Sequence, residues 1–355
     1  MTLHVGIVGA GIIGLTCAYE LAKQGYKITV FDNDGPHQAS KAALGLSVVK
    51  GNFFPRDELF SLKMTGHKRF VNWLHSLATI SGIDQNSLVQ SGLREWFITP
   101  SDFQIESERA FHGEFTALHR FKLNNQAGVT HLSDLVRTYP DDAHANVPLL
   151  LTAMKTFVSK HGKIVKATVL RLEEEREVKV LTEDGDTKCD RVIVAAGIGV
   201  SEILKNSRFR VPEFELVPGS SAHFYDAAND VNDFQLVSKY TYSTFGHETR
   251  VGSRLFDGES FAKDVQERKI KLANHNAKDI SWQYGIRVKQ KSRLPFVNAA
   301  ETQAQKISRK ILIATAMYRN GFQLASLVAQ FCHNFVRHGL NGQPMEFSAE
   351  YFSRL

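Results

Sequence analysis

Cysteine is scarce in this chain. Its 355 residues hold three, Cys17, Cys189 and Cys332, far apart and never as CxxC. That excludes a disulfide framework and a thiolate metal site, and it fits a reduced, cytoplasmic setting. The 14 histidines are scattered, with no HExxH and no His/Cys/carboxylate cluster at ligand spacing, so no metal is expected. A GxSxG elbow, a Walker sequence, repeats and low-complexity tracts are also missing. Only Leu3 to Ala22 forms a long, mostly apolar stretch, and its four glycines, Glu20 and missing basic flank argue against a membrane span or signal peptide. The first strand is expected almost at once, and no export signal is expected ahead of it. Neither charge sign dominates: 43 Lys plus Arg against 37 Asp plus Glu leave a net +6. Short basic runs at Lys289, Lys291 and Arg293 and at Lys306, Arg309 and Lys310 read as solvated surface. Without interleaved aromatics they do not predict a nucleic-acid partner.

What is present begins at residue 5. Val5 to Gly14 reads V-G-I-V-G-A-G-I-I-G, and a second apolar run, I-T-V-F-D, ends at Asp32. This is strand, glycine turn, helix, strand and acid. Gly9 allows the tight turn, Gly11 lets backbone approach a pyrophosphate, and Gly14 lets the helix pack on the sheet. The helix start supplies unpaired N–H groups and partial positive charge for phosphates. Asp32 sits at about the 20-residue spacing expected of an acid that grips ribose hydroxyls. A bound dinucleotide follows.

The length exceeds one typical domain, so two domains or one large composite are expected. Residues 57–82 and 146–161 carry helical periodicity. Residues 90–127 and 213–260 alternate and turn often, as antiparallel strands do. Lys163 to Val180 predicts two strands, I-V-K-A-T-V and E-V-K-V, followed by a turn at Glu183 to Asp186. Arg191 to Gly199 reads as a buried strand entering a small-residue turn, beside the first strand in a parallel sheet. Residues 263–283 read as a helix. Lys310 to Ala316 is a further buried strand leading into Tyr318-Arg319-Asn320-Gly321 and a helix to about Val336. Nucleotide-domain pieces thus recur at the start, middle and end. The expected fold is α/β: a Rossmann-like cofactor domain (1–50, 145–212 and 300–345) interleaved with an antiparallel-sheet α+β substrate domain (51–144 and 213–299).

Taken in order, these motifs resemble the D-amino-acid oxidase family of flavoproteins, especially glycine oxidase and the small amino-acid dehydrogenases. The family's fingerprint is G-I-V-G-A-G-I-I-G here. Its A-S-x-A-A-x-G segment is Ala39 to Gly45, and its A-A-G strand end is Ala195-Ala196-Gly197. Its G-L-R-P block is similar to Gly285-Ile286-Arg287-Val288, and its Y-R-N-G entry is Tyr318 to Gly321. The resemblance implies FAD, held noncovalently, because no cysteine stands before the last strand where covalent members carry one. It implies that Gly9, Gly11 and Gly14, with Ile12 and Ile13, face the pyrophosphate, and Asp32 with Asn33 the adenosine ribose. Ser40, Lys41, Ala43, Gly45 and Leu46 would line the cofactor. Val169 would meet adenine through its backbone, and Ala196 and Gly197 would lie near the pyrophosphate. Arg319, Asn320, Gly321 and Phe322 would stand at the flavin, the helix start facing its N1–C2=O edge. For the substrate it implies Arg287 as the carboxylate fork. Tyr240 and Tyr242 align loosely with a family tyrosine near the substrate, and Lys50 follows the flavin-lining segment.

The family pattern continues G-L-R-P-x-T-x-D-G-x-P, whereas this chain reads G-I-R-V-K-Q-K-S-R-L-P. A proline and an aspartate are gone, and three basic residues enter. The implied reaction is oxidation of the C–N bond of an amine or amino acid to an imine, by hydride transfer to flavin N5. The alternative keeps the fold and changes the substrate: a residue of a macromolecular partner, in the maturation of a protein-derived quinone cofactor or on a tRNA base side chain. The electron acceptor, the stereochemistry and the oligomeric state stay open.

Overall fold

A computed structural model describes residues 2–49, 58–96, 122–123, 136–225, 232–237, 240–253, 263–267, 269, 278–339 and 346–353. Elements are numbered in chain order. The first sheet holds β1 (His4–Val8), β2 (Lys27–Asp32), β7 (Lys163–Lys166), β11 (Arg191–Val194), β17 (Phe296–Glu301) and β18 (Ile307–Thr315). Their spatial order is β17-β18-β11-β1-β2-β7. β1, β2, β7, β11 and β18 run parallel, and β17 closes one edge antiparallel to β18. Buried on both faces, β1 and β11 read as unbroken apolar runs rather than alternating ones.

Helix α1 (Ile12–Lys23) follows β1. α2 (Glu58–Ser81), the short α3 (Gln85–Leu88) and α4 (Val147–His161) come next. The remainder are α5 (Val200–Asn206), α6 (Gly321–His338) and α7 (Ala349–Ser353). Asn146 caps α4 by accepting from the Leu149 N–H at 3.3 Å, and Pro148 stands in its first turn. That pairing stabilises the helix by about 1 kcal/mol. α1, α4 and α6 pack into one large core that includes Leu15, Leu21, Leu150, Met154, Leu327 and Phe331. α2 joins that core through Leu62, Phe70, Leu74 and Leu77. Its Gly66 lies so close to α6 that a Cβ there would stand 2.4 Å from the Gln323 carbonyl. Thus α2 and the start of β17, which fall within the stretches expected to form the substrate domain, sit with the parallel sheet. An apolar stripe finds its place by packing, not by its position in the chain.

The second sheet is mixed. It comprises β3 (Leu46–Ser47), β4 (Val89–Trp96), β5 (Lys122–Leu123), β6 (Val136–Ala145), β12 (Glu215–Tyr225), β13 (Asp233–Val237), β14 (Tyr240–Phe245), β15 (Glu248–Ser253) and β16 (Lys278–Lys289). Its order is β16-β12-β15-β14-β13-β4-β6-β3, with β5 against β6. All its pairs are antiparallel except β13 with β4. A third sheet is formed by β8 (Val169–Glu174), β9 (Val178–Thr182) and β10 (Gly185–Cys189).

Two expectations change. The run I-V-K-A-T-V is not one strand. It breaks at Ala167–Thr168, and its halves enter different sheets as β7 and β8. The helix expected over 263–283 is helical at 263–267, but 278–283 is strand, the first half of β16, paired along β12 from Tyr225 to Glu215. Twelve residues of ladder outweigh local helical periodicity. Among the described residues, no helix is long and apolar enough to cross a membrane, and no group of His, Cys, Asp and Glu could hold a metal ion.

Candidate FAD and substrate site

A cavity of about 770 Å³ lies at the carboxyl ends of the parallel strands, where Val8, Asp32, Ala195 and Thr315 line it. This is where open α/β sheets bind ligands. Its floor depends on glycine. Gly9 turns with φ +102°, and a Cβ on it would lie 2.5 Å from the Ala195 carbonyl of the neighbouring strand end. A Cβ on Gly14 would lie 1.9 Å from the Gly9 carbonyl, so only glycine lets α1 sit this close to the turn. Gly11 differs: a Cβ there would meet only Ser40 Oγ, at 3.1 Å, and the position lines the cavity.

Asp32 is fixed in place. Its Oδ1 accepts from the Ala10 N–H at 2.9 Å, and its Oδ2 accepts from the Asp34 N–H and Gln38 Nε2, each at 3.1 Å. Asn33 Oδ1 accepts from the Gly35 N–H at 3.1 Å. Ser40 reaches α1, its Oγ accepting from the Ile12 N–H at 2.9 Å. The segment around Ser40 is docked on the second sheet. The Ile286 N–H donates to the His37 carbonyl at 3.1 Å. Cβ atoms on Gly252 and Gly285 would collide with Leu44 and Ala39 at 2.8 and 2.7 Å. Arg250, on β15, donates through Nη1 to the Lys41 and Ala43 carbonyls at 3.4 and 3.2 Å. Burial pulls its pKa down to about 10, so it remains cationic. Its cross-strand neighbour His223 is pushed down to about 4 by burial and by that charge, and stays neutral.

The far end of the cavity is built by the turn into α6. Ala316 and Tyr318 adopt φ +57° and +50°, a left-handed region costly for side chains other than glycine. The Tyr318 N–H is held by the Val288 carbonyl at 3.2 Å. Asn320, Gly321, Phe322 and Gln323 then present the start of α6 to the cavity. Neither α1 nor α6 has an acid in its first turn, and neither N-cap side chain bonds the helix. Two positive helix ends therefore open on one cavity.

Arg287 comes from β16, opposite Val217 of β12. A Cβ on Gly219 would meet its Nη2, Cζ and Nε at 3.2, 3.3 and 3.3 Å, so the guanidinium lies flat on that glycine. Nη2 donates to the Pro218 carbonyl at 2.9 Å, and Nε is buried without a hydrogen bond. Burial, then the Arg319 charge, lower its pKa from the ordinary guanidinium value.

Most of the residues expected from sequence meet here. Gly9, Gly11, Ile12, Ile13, Asp32, Asn33, Ser40, Ala43, Gly45, Leu46, Val169, Ala196, Gly197, Arg287, Arg319, Asn320, Gly321 and Phe322 all line the cavity. Four do not. Gly14 packs beneath the turn rather than facing the ligand space. Lys41 turns to Asp34, Nζ to Oδ1 at 2.7 Å. Tyr240 and Tyr242 cluster with Ala222 and Val251, while Thr241 between them lines the cavity. Strand alternation sends the two tyrosines to the opposite face. Lys50 lies outside the described residues.

Sequence reasoning missed Gln38, Arg250, Lys63 and Gln323. Lys63 is 8% exposed and lines the cavity from α2, where its carbonyl accepts from Gln323 Nε2 at 2.9 Å. The periodicity of residues 57–82 marked the helix but nothing in the sequence marked Lys63 as facing a ligand. Arg250 is found only through the register of β15. A Ser47–His67–Asp142 series also emerges. Ser47 Oγ is 3.0 Å from His67 Nδ1, and His67 Nε2 is 4.0 Å from Asp142 Oδ1. Ser47 is fully buried and does not line the cavity, so the trio ties β3 to α2 and is no hydrolytic site.

The site fits FAD on its own geometry. Gly197, at φ +54°, lines the cavity, and a Cβ there would meet no protein atom within 4 Å among the described residues. With Gly11 it leaves space beside the backbone that would admit a diphosphate, and Asp32, which lines the same cavity, carries a carboxylate that would suit ribose hydroxyls. Asp32 and Val169 mark one end and the α6 turn the other.

Comparison with known proteins agrees. The bifunctional protein ThiO/ThiG of Trichormus variabilis is 23% identical over 95% of this chain and 53% of its own length. The chain spans about half the length of the curated relatives it matches. Glycine oxidase from Geobacillus kaustophilus has a similar fold, with TM-score 0.76 at 18% identity over 96% of both chains. Iminodiacetate oxidase from Chelativorans sp. BNC1 has TM-score 0.75 at 18% identity, covering 96% of this chain and 97% of its own. The profile of the DAO family, FAD dependent oxidoreductases, matches residues 4–332. With the match spanning nearly the whole chain and the glycine turn, Asp32 and the α6 entry on one cavity, this protein belongs to that family of FAD-dependent oxidoreductases.

Proposed function

We propose that this protein oxidises the C–N bond of an amine or amino acid to an imine, which water then hydrolyses. The observation that carries this is the placing of Arg287 on the wall of the same cavity that the start of α6 enters. A guanidinium lying flat on Gly219, with one nitrogen bound to Pro218, has few orientations left. It can receive a carboxylate and fix the α-carbon in the cavity, which lowers the barrier by positioning. Bound FAD supplies the acceptor for the hydride that leaves the α-carbon. The positive end of α6 stabilises negative charge gathering at its mouth. No protein base is required if the amine arrives neutral. Two solved neighbours are, by name, oxidases of glycine and of iminodiacetate.

The test is anaerobic flavin bleaching of purified holoprotein by glycine, sarcosine, D- and L-amino acids and simple amines. Bleaching by one class supports the reading and names its substrate. A yellow protein that dithionite bleaches and none of these compounds does would overturn it, and would favour modification of a residue in a macromolecule.

A further inference from the structure

The wall that the second sheet gives to the cavity changes character along its length. Six neighbouring strands line it, in the order β16-β12-β15-β14-β13-β4. Arg287 stands on β16 at one end, and Gly219 on β12, Gly252 on β15 and Thr241 on β14 follow. Phe234 and Leu236 on β13 and Leu93 on β4 line the other end, where Leu46 and Val48 join them. Gly252 is paired opposite Thr241, and Thr241 opposite Leu236, so the series lies on one face of the sheet. A cation, then small residues, then five apolar side chains face a single space. Those five, with Tyr139, form a hydrophobic cluster of their own beside the two large cores. Leu93, Phe234 and Leu236 are only 1%, 2% and 3% exposed, and Leu46 and Val48 are half-buried. The apolar end is thus shielded from bulk water, and water held there finds few polar partners, so an apolar group displaces it favourably.

Strands lie about 4.8 Å apart, so the four steps from β16 to β13 put roughly 19 Å between the two backbones. The Arg287 and Leu236 side chains cover part of that span from either end. A substrate as small as glycine would meet Arg287 and leave the apolar end unused. We propose that the substrate is an amino acid whose carboxylate meets Arg287 and whose aliphatic or aromatic substituent fills the apolar end beside Leu46, Val48, Leu93, Phe234 and Leu236. This rests on the proposed amine oxidation for the reaction, and on the graded wall alone for the binding.

The test separates the two. Oxidised holoprotein is titrated with acetate, butyrate, hexanoate and octanoate, followed by perturbation of the flavin spectrum. Affinity should rise about threefold to fourfold per added methylene until the end of the pocket is reached, and then level off. Val48→Phe, which fills part of the apolar end, should flatten that rise, and Leu236→Ala, which deepens it, should move the plateau to longer acids. Affinity independent of chain length in the wild type, or a rise that neither variant alters in flavin-loaded protein, overturns the proposal. Variants that weaken FAD binding and leave the chain-length dependence as it was assign the apolar end to the cofactor, and overturn it as well. Anaerobic bleaching by both enantiomers of leucine, norleucine and phenylalanine against glycine and sarcosine then follows. Faster bleaching by an apolar amino acid supports the proposal, and preference for glycine or sarcosine overturns it. Chain-length-dependent binding of the acids with no bleaching by any amine supports the apolar subsite and defeats the amine reaction instead.

Discussion

Alanine at Gly11 and at Gly14 should damage this protein in opposite ways, although the two lie three residues apart in one turn-and-helix motif. At Gly14 the added Cβ would stand 1.9 Å from the Gly9 carbonyl, a contact that real Cβ atoms do not make below 3.0 Å. Both partners are backbone, so α1 must move by about an ångström from the turn it packs on, and overpacking of this kind costs about 3 kcal/mol. The apoprotein itself is destabilised. At Gly11 the Cβ would meet only the Ser40 hydroxyl at 3.1 Å, and the backbone is extended at φ −74° and ψ −178°, which alanine adopts freely. Loss of glycine at this N-cap costs at most about 1 kcal/mol. The methyl group instead occupies space that a diphosphate needs, and a weakening of FAD binding by about 100-fold is expected, near 3 kcal/mol. The assay is thermal melting of the two apoproteins, followed by titration of each with FAD by quenching of flavin fluorescence. Gly14→Ala should melt well below wild type before any FAD is added. Gly11→Ala should melt near wild type and gain little on adding FAD. An apo Gly14→Ala protein as stable as wild type, or Gly11→Ala with unchanged FAD affinity, would refute the reasoning.

Arg287→Ala should raise KM for a carboxylate substrate by about 100-fold with a smaller effect on kcat, as loss of a charge-assisted pair does; an unchanged KM in steady-state assays would remove its assigned role. Arg250→Met should weaken FAD binding by about tenfold or more, because two carbonyls of the Ser40 segment lose a charged donor, and Arg250→Lys should restore part of it. His144 is stacked on Phe234 and meets Phe245 at a tilt, its Nδ1 lies 2.7 Å from Ser243 Oγ, and burial pushes its pKa down from 6.5 to about 3. Its contribution is therefore complete above pH 6.5 and declines as pH falls from 6.5 toward 3, with a slope of up to about 1.4 kcal/mol per pH unit. Urea melts at pH 7 and 5 should show this loss, and His144→Phe should reduce the slope by about one proton. All three cysteines are buried, and burial pushes Cys189 up to about 12; a thiol reagent should label almost none in the native protein and all three in denaturant.

The cofactor half of the site was legible because it is built from local chemistry. A turn that needs φ above zero at Gly9, a helix that needs no side chain at Gly14, and a strand ending in an acid each follow from neighbours in sequence. The Y-R-N-G entry was legible as order of residues, though not the left-handed backbone at Ala316 and Tyr318 that aims it. The substrate wall was less legible. Tyr240 and Tyr242 were expected near the substrate and Thr241 between them was not, and only the pairing of β14 with β13 and β15 decides which parity faces the cavity. A slip of one residue exchanges the two faces.

The sequence by itself determined the amino-terminal βαβ unit with its glycine turn and terminal acid, the form of a dinucleotide site, because glycine geometry, helix dipole and strand period act within some thirty residues. It also determined that Arg287 precedes a block unlike that of its family. Only the tertiary structure decided that Arg287 lies flat on Gly219 and shares Tyr318 with Arg319, that Arg250 grips the Ser40 segment, and that α2 joins the first core. Those contacts link residues from about 30 to about 260 positions apart, and distance of that kind is closed by sheet register and helix packing, which no local pattern carries.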